Sequence, residues 1–238
     1  MKKHLMLGFA VGLLSTAAFA QFDDCLDQFP GKEVPKLAES GRDLCFNSFA
    51  VLYSPKDKKP IYAVERLNQK RLLDSRDEER TNRFYEEARL RMAERSTLAD
   101  YKASGWDRGH NAPAADMPNP MAMAQSFSLA NMMPQAPENN RGVWAKDVER
   151  ATRRFAMRAR GDVYVFTGSV GSQGTIGASR VTVPAYLWKL VYDEAGGRAW
   201  AYWLPNSNSA QMSRDSMISY QELVTRTGID FKIGNRLR

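Results

Sequence analysis

Three runs rich in β-branched and aromatic residues constrain the fold most: residues 162–169 (DVYVFTGS), 181–192 (VTVPAYLWKLVY) and 198–204 (RAWAYWL). Gly, Pro, Asn and Asp punctuate them, so the sequence predicts neighbouring strands of a central sheet. Residues 49–53 and 61–64 add two shorter β-prone runs separated by Ser54-Pro55-Lys56-Asp57-Lys58-Lys59-Pro60, which reads as a hairpin turn. Helical spacing is found over residues 140–159, where Trp144, Val148, Ala151 and Phe155 share a stripe, and a second helix is expected over 216–227. Residues 65–97 are dense in Arg, Glu and Asp with few apolar positions and predict exposed loop with some helix, an arginine-rich strip able to touch phosphate. The order strands, helices, strands, helix gives an α+β fold with an antiparallel-rich central sheet and flanking helices. No internal repeat or low-complexity linker divides it.

The N-terminus has a different character. Met1-Lys2-Lys3-His4 is a basic start, Leu5 to Leu14 an apolar run too short to span a bilayer, and Ala18-Phe19-Ala20 a small-x-small cleavage pattern. Residues 1–20 are therefore expected to be a signal peptide. They would leave an exported chain, periplasmic or secreted, with one domain over 21–238 and no membrane attachment after cleavage. A composition of 43% hydrophobic and 26% charged residues excludes a disordered or collagen-like chain. Loss of Lys2 and Lys3 takes the net charge from +7 to +5, a balance that favours anionic partners such as nucleic acid. Cys25 and Cys45 are the two cysteines of the sequence, and in an exported protein they are expected to form a structural disulfide. Two cysteines and one distant histidine do not make a zinc pattern, so a metal here should prefer oxygen ligands.

After the leader one histidine remains, His110, within Trp106-Asp107-Arg108-Gly109-His110-Asn111-Ala112-Pro113. Imidazole suits proton abstraction near neutral pH, and the guanidinium of Arg108 offers a fork of donors to phosphate. A lone histidine is more often structural than catalytic, but an acid, a base, a glycine and an imidazole in four consecutive residues reverse that expectation. A second cluster, Asn131-Met132-Met133-Pro134-Gln135 followed by Asn139-Asn140-Arg141-Gly142-Val143-Trp144, is amide-rich and leads into the expected helix. Asn140 could cap that helix or present a hard oxygen to Mg²⁺, which binds few protein oxygens and keeps several waters.

In these ordered motifs the chain resembles the DNA/RNA non-specific endonucleases of the ββα-metal (His-Me finger) group, related to mitochondrial endonuclease G. Asp107-Arg108-Gly109-His110 is similar to that family's D-R-G-H signature, Asn131-Met132-Met133-Pro134-Gln135 to its N-x-x-P-Q segment, and Asn139 to Trp144 completes the pattern. The resemblance implies a sheet-based α+β core with a ββα-metal motif, and hydrolysis of DNA and RNA with little sequence preference. It implies His110 as general base and Asn140 as the direct protein ligand of one Mg²⁺, or Mn²⁺ in its place. It also implies phosphate binding by Arg108, with an upstream arginine expected at Arg80 and Arg83 close behind. Asp107 would orient the loop or meet substrate, and Asn131 would touch substrate or support the site from behind.

The family's metal-water carboxylate is expected four residues after the tryptophan, where this chain has Val148. Asp147 lies one place before it and Glu149 one place after. On a regular α-helix Asp147 turns towards the face of Asn140 and Glu149 away from it. A π-bulge would absorb one residue and bring Glu149 round. Glu149 is the expected carboxylate, with Asp147 as the alternative and a surface pair with Arg153 as the ordinary explanation of Glu149. A different class of function, an exported nucleic-acid-binding module without catalysis, would keep the arginines but has no use for a base beside an amide ligand.

Overall fold

In the computed structural model, which describes residues 22–238, the alternation of side chains across strands builds the frame that carries every other element. The chain begins with β1 (Arg42–Cys45), β2 (Phe49–Ser54) and β3 (Lys59–Leu67), consecutive antiparallel neighbours. The turn expected between residues 54 and 60 is present, and β3 runs further than the sequence suggests, to Leu67. Strands β4 (Asp107–His110) and β5 (Met132–Gln135) leave the main sheet and pair with each other. Next come β6 (Val163–Val170), the short β7 (Thr175–Ile176) and β8 (Val181–Thr182), then β9 (Tyr186–Asp193), β10 (Arg198–Pro205) and β11 (Met217–Ser219). The main sheet has the order β1-β2-β3-β6-β9-β10-β11 with every neighbour antiparallel. This is the α+β class with the antiparallel sheet that the strand runs predict.

Two expected elements are divided. Residues 181–192 do not form one strand: β8 pairs with β7 in a separate ribbon, and β9 starts only at Tyr186. Pro184 lacks an N–H and cannot continue a ladder, which separates the two. The helix expected from residue 216 begins at Tyr220 as α5 (Tyr220–Thr227), where Ser219 Oγ accepts the Glu222 N–H at 3.1 Å. Residues 217–219 instead extend the sheet as β11 along β10.

Parity along the strands decides what each face covers. Tyr62, Val64, Phe166, Trp188 and Leu190 point to one face, where Phe29, Leu223 and Phe231 close over them. On the other face, Val163, Val165, Leu187 and Val191 receive Trp144 and Val148 from the segment after β5. Burying side chains of this size contributes about 1.5–3 kcal/mol each, so the second face anchors the helix that carries the candidate site.

Cys25 and Cys45 are joined in a disulfide with a Cα–Cα separation of 5.6 Å, as the two-cysteine count suggests. It ties the N-terminal turns to the end of β1. For a sequence separation of 20 residues, loop closure places its stabilising effect near 3 kcal/mol. The Cys25→Ser/Cys45→Ser variant should therefore melt well below the oxidised parent by calorimetry, with its activity at low temperature kept. An unchanged melting temperature would show that the bridge is dispensable. Among the described residues no helix is long and apolar enough to cross a membrane. The expected signal peptide, residues 1–20, lies outside the described residues.

Candidate active site

The β4–β5 ribbon puts the two sequence clusters side by side, with Asp107 opposite Gln135 and His110 opposite Met132. Gly109 is what permits this closeness: a Cβ there would stand 2.1 Å from Gln135 Oε1 and 2.6 Å from Gln135 Cβ. The Gln135 side chain crosses under the glycine and donates to Asn139 Oδ1 at 2.8 Å, and Asn139 in turn donates to the Pro205 carbonyl at 2.9 Å. Asn206 fastens the end of β5 by accepting from Ala136 N and donating to the carbonyls of Pro134 and Pro184. The start of the following helix is thereby fixed to both hairpin and sheet.

That helix is wound more widely than an α-helix. Asn139–Glu149 is π-helical, Gly142 departs from helical conformation, and the Arg150 N–H reaches back five residues to the Ala145 carbonyl before α4 (Arg150–Ala156) resumes ordinary winding. Wide winding within the helix expected over 140–159 is what the choice of Glu149 over Asp147 required, and it extends over eleven residues where a single bulge was expected. The wider turn rotates Glu149 to the Asn140 side, where both line one cleft of about 340 Å³ with Arg80, Asp107, Arg108 and His110. Asp147 is exposed and does not line it.

The imidazole and the two arginines of the cleft have identifiable supports. His110 is 9% exposed and sits between two aromatic rings, with centroids 5.8 Å from Phe84 and 5.1 Å from Phe127. The same rings carry the cations: the Arg108 guanidinium lies 4.2 Å from the Phe84 centroid and that of Arg80 5.1 Å from Phe127. Asn82, whose φ of 52° asparagine tolerates, accepts from Arg80 Nε at 2.7 Å and steers it. Burial, reinforced by the Arg80 charge, pushes the His110 imidazole down to about 3, so the ring is neutral at neutral pH. His110 Nε2 is buried without a hydrogen-bond partner, which leaves Nδ1 as the nitrogen towards the cleft.

Asp107 organises the opposite wall. One of its oxygens accepts from Asn140 Nδ2 at 2.9 Å, and both accept from Arg141, at 2.8 and 2.6 Å. An ionised carboxylate can only accept, so this contact determines the orientation of the Asn140 amide and turns its carbonyl oxygen away from Asp107. Burial raises the Glu149 carboxyl, against the opposing pull of Lys189 and Arg153. Among the described residues no hydrogen bond reaches that carboxylate, and its ion-pair contact with Arg153 is long, at 3.9 Å.

The expected residues are not all gathered. His110, Arg108, Arg80, Asp107, Asn140 and Glu149 line the cleft, while Arg83 is exposed outside it. Asn131 has no exposed surface, and its amide accepts from Ala112 N and donates to the carbonyls of Ala112 and Ser126, all at 2.9 Å. Of its two expected roles, Asn131 is thus placed for support, of the loop that follows His110. Phe84, Phe127, Asn82 and Arg141 were missed by the sequence reading. So was a buried polar layer on the sheet beneath, where Lys189 donates to Thr167 at 2.5 Å and burial raises Glu65 well above the carboxylate range. A signal existed for the last two: both charges occupy inward positions of otherwise apolar strands.

Comparison with known proteins agrees with this geometry. The family model described as DNA/RNA non-specific endonuclease matches residues 32–236. The chain is 32% identical to human mitochondrial endonuclease G over 67% of its own length and 58% of that protein's. It is 35% identical to a nuclease of Nostoc sp. over 58% of its length and 54% of that protein's, and 34% identical to nuclease C1 of Cunninghamella echinulata over 65% and 66%. The matches to endonuclease G and the Nostoc nuclease thus span little more than half of those relatives. A crystal structure of endonuclease G in complex with the inhibitor EndoGI has the same fold, with a TM-score of 0.75 at 22% identity over 93% of this chain and 95% of that one. With motifs, ribbon, helix and family model in agreement, the chain belongs to the DNA/RNA non-specific endonucleases.

Proposed function

We propose that the protein is an exported endonuclease, a single nuclease domain from Gln21 onwards, that hydrolyses phosphodiester bonds of DNA and RNA with little sequence preference. The observation that carries the reading is the convergence in one cleft of a neutral imidazole, an oriented amide oxygen and a carboxylate held only by a long ion-pair contact. His110, with the proton of its neutral ring on Nε2, takes a proton from water on Nδ1 as that water attacks phosphorus in line with the departing 3′-oxygen. Arg108 and Arg80 bind the phosphate oxygens with charge-assisted hydrogen bonds. Their seats on Phe84 and Phe127 hold them in place without neutralising them.

The donor set fits a hard cation. Asn140 Oδ1 offers one oxygen, and the half-buried Glu149 carboxylate, which has no hydrogen-bond donor among the described residues, suits the waters of a hydrated Mg²⁺ or Mn²⁺. Such an ion supplies Lewis-acid stabilisation of the charge that develops on the phosphate and the leaving oxygen. Asn140 would hold it directly and Glu149 through water, while Asp107 keeps the amide turned. Support for export comes from the Lys2-Lys3, apolar and Ala18-Phe19-Ala20 pattern, and the disulfide is compatible with an oxidising compartment.

The deciding experiment incubates plasmid DNA and total RNA with the mature protein and Mg²⁺, and in parallel with EDTA. Cleavage of both polymers with Mg²⁺ and of neither with EDTA is expected. Binding without cleavage under any divalent metal would replace the enzyme by a binding module. Glu149→Gln is expected to lower the metal-dependent rate about 10–100-fold, the usual cost of losing an outer contact to a bound ion. Asp147→Ala, at an exposed position, should leave the rate unchanged, and the reverse result would move the carboxylate role to Asp147.

A further inference from the structure

The cleft does not end at Arg80. Arg80, Ala114 and Ala115 also line a second, larger hollow of about 640 Å³ between the segment after α1 (Gln69–Asp74) and α4. Its floor is apolar, with Leu72, Met123 and Met157, and its rim is cationic. Arg150 and Arg154 follow at i,i+4 on α4, Arg158 lies one turn further, and Arg76 faces them from the other wall. None of these four has a carboxylate within ion-pair distance among the described residues, whereas Arg42, Arg89, Arg198 and Arg226 each do. Glu78 is the one acidic residue of the lining.

Like charges at i,i+4 destabilise a helix. The C-terminal end of α4 offsets this for Arg154 and Arg158 but not for Arg150 or for Arg76 on another element. A polyanion would relieve the whole rim. The floor specifies which polyanion. A duplex shows phosphates but keeps its bases stacked inside, leaving the methionines and Leu72 without a partner. An unpaired strand brings both phosphates and exposed base faces, which polarisable, adaptable methionine side chains accept.

We propose that this groove holds an unpaired stretch of the nucleic-acid strand next to the scissile phosphate, bases on the Met123–Met157 floor and phosphates on the arginine rim. Single strands are then bound more tightly than duplex. The inference rests on the nuclease reading for the identity of the cleft beside it, but binding can be measured without cleavage.

The test uses the His110→Ala protein in EDTA, with fluorescence anisotropy of labelled oligothymidylate and of a hairpin duplex of equal length. Oligothymidylate is expected to bind more tightly. Arg154→Glu, fully on the exposed rim, should weaken its binding about tenfold and reduce the salt slope by about one. Met157→Glu should weaken the single strand and spare the duplex. Met157→Lys separates charge from apolar contact, because a lost floor weakens the single strand even when the added charge is favourable. Equal effects on both probes, or no effect of either substitution, would overturn the groove as a site for unpaired strand. Failure of the wild type to cut any polymer would defeat the nuclease reading instead, and the anisotropy results would still decide the groove.

Discussion

His110→Ala is expected to lower kcat on DNA and RNA by about 10²–10⁴, the range that a positioned general base contributes. Nucleic-acid affinity in EDTA should change little, because Arg108 and Arg80, the arginines proposed to bind phosphate, rest on Phe84 and Phe127 and not on the imidazole. Truncation also removes a ring packed between those two aromatics, so the melting temperature of the variant must be measured beside its rate. His110→Asn fills part of the space and should be equally inactive. The pH profile supplies a second reading. Burial and Arg80 hold the ring at about 3, below the ordinary imidazole value, so protonation disables the base only as pH falls into the acid range. The acid limb of kcat/KM should accordingly lie well below about 6.5. The unfolded chain keeps an ordinary imidazole and binds the proton first, so stability too declines as pH drops through that value. An acid limb at the ordinary imidazole value, or a variant within tenfold of the parent, would remove His110 from the role of base.

How far the sequence discloses this arrangement differs from element to element. Local pattern suffices for β2, β6 and β10 and finds the middle of β3 and β9 but not their ends, because alternation and turn residues act over a few positions. It does not place β11, whose three residues become strand only because β10 offers an edge. The motifs around His110 and Asn140 are legible because the proposed chemistry needs those residue types, but their supports are not. Phe84 and Phe127 come from loops far apart in the chain and read as ordinary apolar positions until they meet at the histidine. The choice between Glu149 and Asp147 turns on helical winding. Nothing local distinguishes α from π hydrogen bonding there, and packing of Trp144 and Val148 on the sheet together with the tether of Asn139 decides it. Of the two roles that the resemblance implies for Asn131, contact with substrate or support from behind, its full burial and its hydrogen bonds to Ala112 and Ser126 fit the second.

Asn140→Ala should be nearly as damaging as loss of the base. If Asn140 holds the cation as proposed, removing its oxygen should forfeit several kcal/mol of charge stabilisation, on the order of a thousandfold in rate. Mn²⁺ binding measured by electron paramagnetic resonance should weaken in parallel, a readout independent of turnover. Asp107 connects this effect to the hairpin. In Asp107→Asn the partner of the Asn140 amide becomes both donor and acceptor, so the amide is free to turn and the oxygen is misdirected in a fraction of molecules. That variant should lose about 10–100-fold, with a fold left intact by the β4–β5 ladder. Because Asp107 acts through Asn140, the two losses are not independent, and the double variant Asp107→Asn/Asn140→Ala should be no slower than Asn140→Ala alone. Additive losses would mean that Asp107 acts on substrate directly, through the arginine it shares or by itself. Recovery of Asp107→Asn at raised Mn²⁺, without recovery of Asn140→Ala at the same concentration, is the pattern that orientation of a single oxygen requires.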